Sequence, residues 1–156
     1  MHPSAEQFVA DARANYDFEP TVEEFPEGTK TAADAAEAVG CDVAQIASSI
    51  VLVADSEVVV SVTSGANRVS MAKVAELVGA ESARMAEADE VKRATGWSIG
   101  GVPPICHATS VPVFVDETLL EFETVWAAAG TPTAVFRVES EELVELSGGE
   151  VADVAE

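Results

Sequence analysis

Two adjacent glycines followed by two prolines, Gly100-Gly101-Val102-Pro103-Pro104, form the stretch of this chain best prepared for chemistry. Glycine lets the backbone take φ > 0 and leaves its N–H groups unshielded, while the two prolines stiffen the far end of the loop. Such a loop can present backbone donors to a carbonyl, carboxylate or phosphate oxygen, or it can simply be a tight connection between a helix and a strand. The other reactive side chains are sparse. Cys106 and His107 are neighbours in sequence, which does not set a base against a nucleophile, and Cys41 and Cys106 read as small buried apolar groups. No metal cluster is visible. Gly96-x-x-x-Gly100-Gly101 lacks the spacing of a dinucleotide fingerprint and the subsequent Lys-Ser/Thr of a P-loop, so no cofactor is expected.

The elements that must position the loop are legible from caps and periodicity. Ser4-Ala-Glu-Gln7 has the form of a capping box, and Phe8, Val9, Ala12 and Tyr16 fall at helical spacing. Thr21–Phe25 alternates as a half-buried strand that Pro26-Glu27-Gly28 ends, and Thr31 opens an alanine-rich helix closed by Gly40. After a capped turn at Asp42, residues 49–54 and 57–63 are β-branched runs around Asp55-Ser56, a hairpin at the centre of the sheet. Ser70 caps a further helix that stops at Gly79. A short strand near 81–85 and a helix from about Ala88 to Ala94 then lead into the glycine loop. Strands come next at 111–115, 124–128 and 133–138, with a last helix from Ser140. The fold class is α+β in a single domain, and the small acidic segment 148–156 is expected to fray.

Thr95-Gly-Trp-Ser-Ile-Gly-Gly-Val-Pro-Pro104, then Val113-Phe-Val-Asp-Glu-Thr-Leu-Leu120, Glu123-Thr-Val-Trp126 and the upstream block Phe25–Ala36 together resemble the YbaK and prolyl-tRNA-synthetase-associated editing-domain family. The resemblance runs from Phe25 to Gly130, with a looser match to about Ser147, and implies one editing domain over residues 1–147. It implies a curved, partly closed mixed sheet with helices around it, and hydrolysis of the ester in a mischarged aminoacyl-tRNA. The implied partners are the aminoacyl-tRNA 3′ end and a synthetase. The family's G-x-x-x-P motif falls on Gly100 and Pro104. These two, with Gly101 as a catalytic backbone donor and Val102 beside it, become the expected pocket wall. Phe25 matches an aromatic position at the pocket mouth, although an inward core residue reads equally well there. Asp116 matches an acidic position that orients water or an α-amino group, or else caps the next turn.

The chain departs from the family at two polar positions. Ser48 stands where the family's lysine begins the first central strand, within Ile46-Ala-Ser-Ser-Ile-Val51, and Ala128 replaces a small polar residue. A serine hydroxyl still donates one hydrogen bond but carries no charge. The expected site is therefore catalytic Gly101 and Ser48, with Phe25, Ser49, Gly100, Val102, Pro104, Asp116 and Ala128 around the substrate. Lys30, Lys73 and Arg68 are the candidates to supply the missing cation, and Arg68 lies on a loop that can reach the pocket mouth. The implied function is that of a free-standing aminoacyl-tRNA deacylase. The alternative is a non-catalytic protein that keeps the fold and binds a small ligand, a tRNA end or a synthetase.

Composition sets the medium. The 156 residues are 48% hydrophobic, enough for one core, with no apolar run long enough to span a membrane and no signal-like start, so a soluble cytoplasmic protein is expected. Twenty-eight acidic residues against eight basic ones leave a formal charge of -20. Self-repulsion on that scale is tolerable where molar salt shortens the Debye length to about 3 Å, which points to a halophilic source.

Overall fold

A computed structural model describes residues 1–25 and 31–156. The strand-ending turn at Pro26-Glu27-Gly28 and the candidate cation Lys30 lie outside the described residues. Helix α1 (Pro3–Tyr16) starts under His2, whose Nδ1 accepts from the Ser4 N–H at 3.0 Å. This corrects the expected Ser4 box, because Pro3 takes the first helical position and moves the cap back to His2. After strand β1 (Val22–Glu24), α2 (Ala32–Val39) begins at Thr31, whose Oγ1 accepts from Asp34 N–H, and ends at Gly40 with φ +76°. A 3₁₀ turn at Val43–Gln45 delivers the chain into β2 (Ile46–Ala54), which turns at Asp55 into β3 (Glu57–Ser64).

Then come α3 (Met71–Leu77), β4 (Ala83–Met85) and α4 (Ala88–Thr95), before the glycine loop and β5 (Val113–Asp116). A 3₁₀ turn at Glu117–Glu121, capped by Asp116, precedes β6 (Thr124–Ala128), β7 (Ala134–Glu139) and α5 (Ser140–Ser147). The segment expected to fray instead forms β8 (Glu150–Ala152), parallel to β5, with Val154 fully buried and its carbonyl accepting from Ser70 N–H. None of the described helices is long and apolar enough to cross a membrane.

The result is a mixed eight-stranded sheet in the order β1-β7-β6-β2-β3-β5-β8, with β4 also on β2. Among the described residues β1 and β8 end the sheet and do not pair, so it remains open. Alternation along the hairpin sorts its side chains. Val51, Val53, Val60 and Val62 face the main core with Phe8 and Phe136, while Leu52 and Val59 face a second core with Val74, Phe114 and Val154. Both faces are covered, as the near-continuous apolar hairpin requires.

Candidate functional site

The site begins as a defect in the sheet. On the edge of β2 away from β3, β6 pairs only with Ile46 and Ala47, and β4 only with Leu52, Val53 and Ala54. Ala86 N–H adds a bond to Val51 O at 3.0 Å, which leaves Ser48, Ser49 and Ile50 without a strand neighbour on that edge among the described residues. Backbone groups of alternate residues point to the same edge, so the N–H and C=O of Ser49 face the gap on the side where Val51 O meets Ala86. A cavity of about 300 Å³ occupies it, walled by Ser48, Ser49, Ile50 and Val51, by Met85 and Val91, by Ile99, Gly100 and Val102, and by Ala128, Pro132 and Val135. Among the described residues the buried Ser49 hydroxyl has no hydrogen-bond partner, in a wall otherwise dominated by apolar groups. Buried hydroxyls are normally satisfied, which marks this one as a group held ready for a ligand or a water.

The far wall is a turn held at both ends. Gly101 N–H donates to Ser98 O at 3.0 Å, and Gly100 sits at φ +88°, the residue type that a type II turn wants at its third position. Among the described residues neither the Gly100 nor the Val102 N–H has an acceptor. Trp97 anchors the turn from behind. Its ring is buried edge-on to Phe8 of α1 at 6.3 Å, and its Nε1–H donates to Cys106 O at 2.9 Å. Gly130 passes so close to Ser4 O and Trp97 that a Cβ there would meet them at 2.7 and 2.8 Å, which brings Thr131 and Pro132 against the glycine pair.

Of the residues singled out from sequence, Ser48, Ser49, Gly100, Val102 and Ala128 meet at this cavity. Four do not line it. Gly101 is turned away, its N–H spent on Ser98 and its α-carbon packed on Thr131, so its part is close approach rather than donation to a ligand. Pro104 is buried but is not among the cavity's lining residues. Phe25 packs with Ala35, Ala36 and Ile46 in a small core under α2. Asp116 is 1% exposed and accepts from Ser64 N–H, Asn67 Nδ2 and Thr118 N–H, each at 3.0 Å. It therefore caps the turn after β5 and pins the loop after β3. Met85, Val91, Ile99 and Pro132 were missed, since their place depends on which strands and turns meet. Only the Pro two residues after Gly130 carried a local sign of a shaped turn.

Cys106 and His107 form no catalytic pair. His107 Nε2–H donates to Pro103 O at 2.8 Å, and burial pushes the ring below its ordinary pKa. Burial, with a smaller push from Asp11, raises the Cys106 thiol to about 12. Beside the first cavity lies a second hollow of about 520 Å³ that shares Ala32, Ser48, Ile50 and Met85 with it and adds Thr63, Asn67, Arg68, Met71 and Glu156.

A largely apolar cavity, with a glycine turn on one wall and a lone hydroxyl on another, thus adjoins a wider hollow across Ser48, Ile50 and Met85. The chain belongs to the aminoacyl-tRNA editing domain family, whose model matches residues 26–146. It is similar over its whole length, at 42% identity and a TM-score of 0.94, to 99% of the crystal structure of a "putative trans-editing enzyme for prolyl tRNA synthetase". It is 32% identical over 131 residues to the "Uncharacterized protein YwhH" of Bacillus subtilis, covering 83% of each chain. A proline–tRNA ligase of Acidithiobacillus ferrooxidans is 29% identical over 93 residues, 60% of this chain and 16% of the ligase.

Proposed function

We propose that this chain is a free-standing deacylase that hydrolyses the ester of a mischarged aminoacyl-tRNA. The observation that carries the reading is the cavity in the gap of the β2 edge, with Ser48 on the wall it shares with the wider hollow. The amino-acid side chain occupies the first cavity and the terminal adenosine the second, so the ester lies beside Ser48. Water adds to the ester carbonyl, and the developing oxyanion takes hydrogen bonds from the unengaged N–H groups of the turn at Gly100 and Val102. The C–O bond to the ribose then breaks, the ribose oxygen takes a proton, and the free amino acid leaves.

No ionisable side chain lines the first cavity among the described residues. The chain therefore contributes donors and positioning, with the Ser48 hydroxyl and the substrate's own 2′-hydroxyl nearest the ester. An uncharged, small amino acid fits such a wall, because a charged side chain would lose its hydration there without a partner. The likeness to proline–tRNA ligases supports a tRNA for proline as the substrate.

Single-turnover deacylation of a panel of mischarged tRNAs at matched high salt tests the reading with wild type, Ser48→Ala and Ser48→Lys. Wild type is expected to hydrolyse a small-amino-acid ester. Ser48→Ala should be slower, and Ser48→Lys, with a charge-assisted contact to the carbonyl or phosphate, faster. Absence of hydrolysis by all three folded proteins would favour a protein that binds the tRNA end without cleaving it.

A further inference from the structure

We propose that Arg68 holds a backbone phosphate of the tRNA 3′ end in the second hollow and so sets the position of the terminal nucleotide over Ser48. The proposal rests on the aminoacyl-tRNA reading and adds to it a residue and a contact.

The first observation is the disposition of charge. With carboxylates so abundant, what each cation is paired with sorts the candidates. Arg13 is paired with Glu19, Lys73 with Asp153 at 2.7 Å, Arg84 with Glu90 at 2.8 Å and Arg93 with Asp89 at 3.9 Å, while Lys92 donates to Gly96 O at 3.0 Å. Lys73 also donates to Ala155 O, which removes it as a candidate for the missing family cation. Among the described residues, Arg68 and Arg137 remain without an ion pair or hydrogen bond from their side chains. Arg137 sits on a surface hollow with Glu23, Glu139 and Glu142. Arg68 lines the hollow that adjoins the amino-acid cavity, where Glu156 is the one carboxylate among the described lining residues.

The second observation is that the backbone carrying Arg68 is fixed although its side chain is free. Gly65 N–H donates to Ile46 O at 2.7 Å, and a Cβ on Gly65 would stand 2.6 Å from Val43 O. Asn67 Nδ2 donates to both Asp116 Oδ2 and Thr118 Oγ1 at 3.0 Å, and Arg68 O accepts from Glu156 N–H at 2.9 Å. The buried carboxylate of Asp116 thus acts on the substrate at one remove, as the peg of the loop that carries Arg68. A guanidinium on a pinned loop has only its own side chain to order on binding and can meet a phosphate with two parallel N–H···O bonds.

The third observation is shape. The hollow has room for a nucleoside, and Met71 and Met85, 37% and 44% exposed, offer thioether surface to a base beside the polar end. A nucleotide lying there with its phosphate at Arg68 brings its ribose end toward the shared wall at Ser48.

The test compares two amide analogues that cannot be hydrolysed, alanylamido-adenosine, which has no phosphate, and alanylamido-CCA trinucleotide, by titration calorimetry across a salt series. Arg68→Gln should weaken the trinucleotide about tenfold or more while leaving alanylamido-adenosine unchanged, and should reduce the slope of log K against log salt by about 0.7. Arg68→Lys should restore part of the affinity, and Glu156→Gln should tighten the trinucleotide. Equal loss for both analogues, or loss for neither, overturns the phosphate contact. Deacylation by the same proteins separates this from the enzyme reading. Hydrolysis with KM and salt slope unaffected by Arg68→Gln sinks the contact alone. Arg68-dependent trinucleotide binding without any hydrolysis upholds the contact and sinks the deacylase.

Discussion

The Cα of Thr131 lies 2.7 Å from the point where a Cβ on Gly101 would stand, with the Thr131 N and C atoms at 2.9 Å. Two backbones touch there, and no side chain can yield. Gly101→Ala should therefore cost about 1–3 kcal/mol of stability through overpacking. Gly100→Ala meets only Pro132 Cγ at 3.5 Å, so its cost comes from φ +88° and should be about 1–2 kcal/mol. Chemical denaturation measures both. A folded Gly100→Ala protein with full hydrolytic rate would remove the Gly100 N–H from the chemistry.

Ser49 gives a prediction with opposite signs for stability and activity. Its hydroxyl is buried without a partner among the described residues, and burying such a group costs about 1–3 kcal/mol. Ser49→Ala is expected to raise the melting temperature while lowering kcat/KM for the ester. A lower melting temperature would mean that the hydroxyl is already satisfied in the free protein.

His107 makes stability depend on pH near neutrality. Burial lowers its pKa in the folded chain below the ordinary value of 6.5, so the unfolded chain binds the proton more readily. The neutral ring's contribution is complete above about pH 6.5 and is lost as pH falls from there through the lowered folded value. Urea midpoints of wild type and His107→Gln across that window should show a steeper fall for wild type. Parallel curves would show that the ring titrates alike in both states.

Salt should stabilise the fold. Screening removes the self-repulsion of a chain with formal charge -20, so the melting temperature is expected to rise from low to molar KCl. A flat or falling series would count against the halophilic reading.

The features that the sequence determined by itself are those under short-range control. Thr31, Asp42 and Ser70 cap their helices because each side-chain oxygen reaches an N–H two or three residues on, and Gly40 and Gly96 end helices because they accept positive φ. The β2–β3 hairpin arises from β-branched runs on either side of Asp55-Ser56. Ser48, Gly100 and Ala128 could be named from motif likeness, yet nothing local tells that they share a wall. That was decided when β6 paired with only the first two residues of β2 and β4 with only the last three, leaving an edge open between them. The same applies to the tail. Residues 150–152 have little strand character alone, and only the exposed edge of β5, some 36 positions away in register, makes them β8. Asp116 shows the reason most sharply, since its carboxylate is committed to Ser64 and Asn67, partners 52 and 49 residues distant that only the folded chain brings within 3.0 Å.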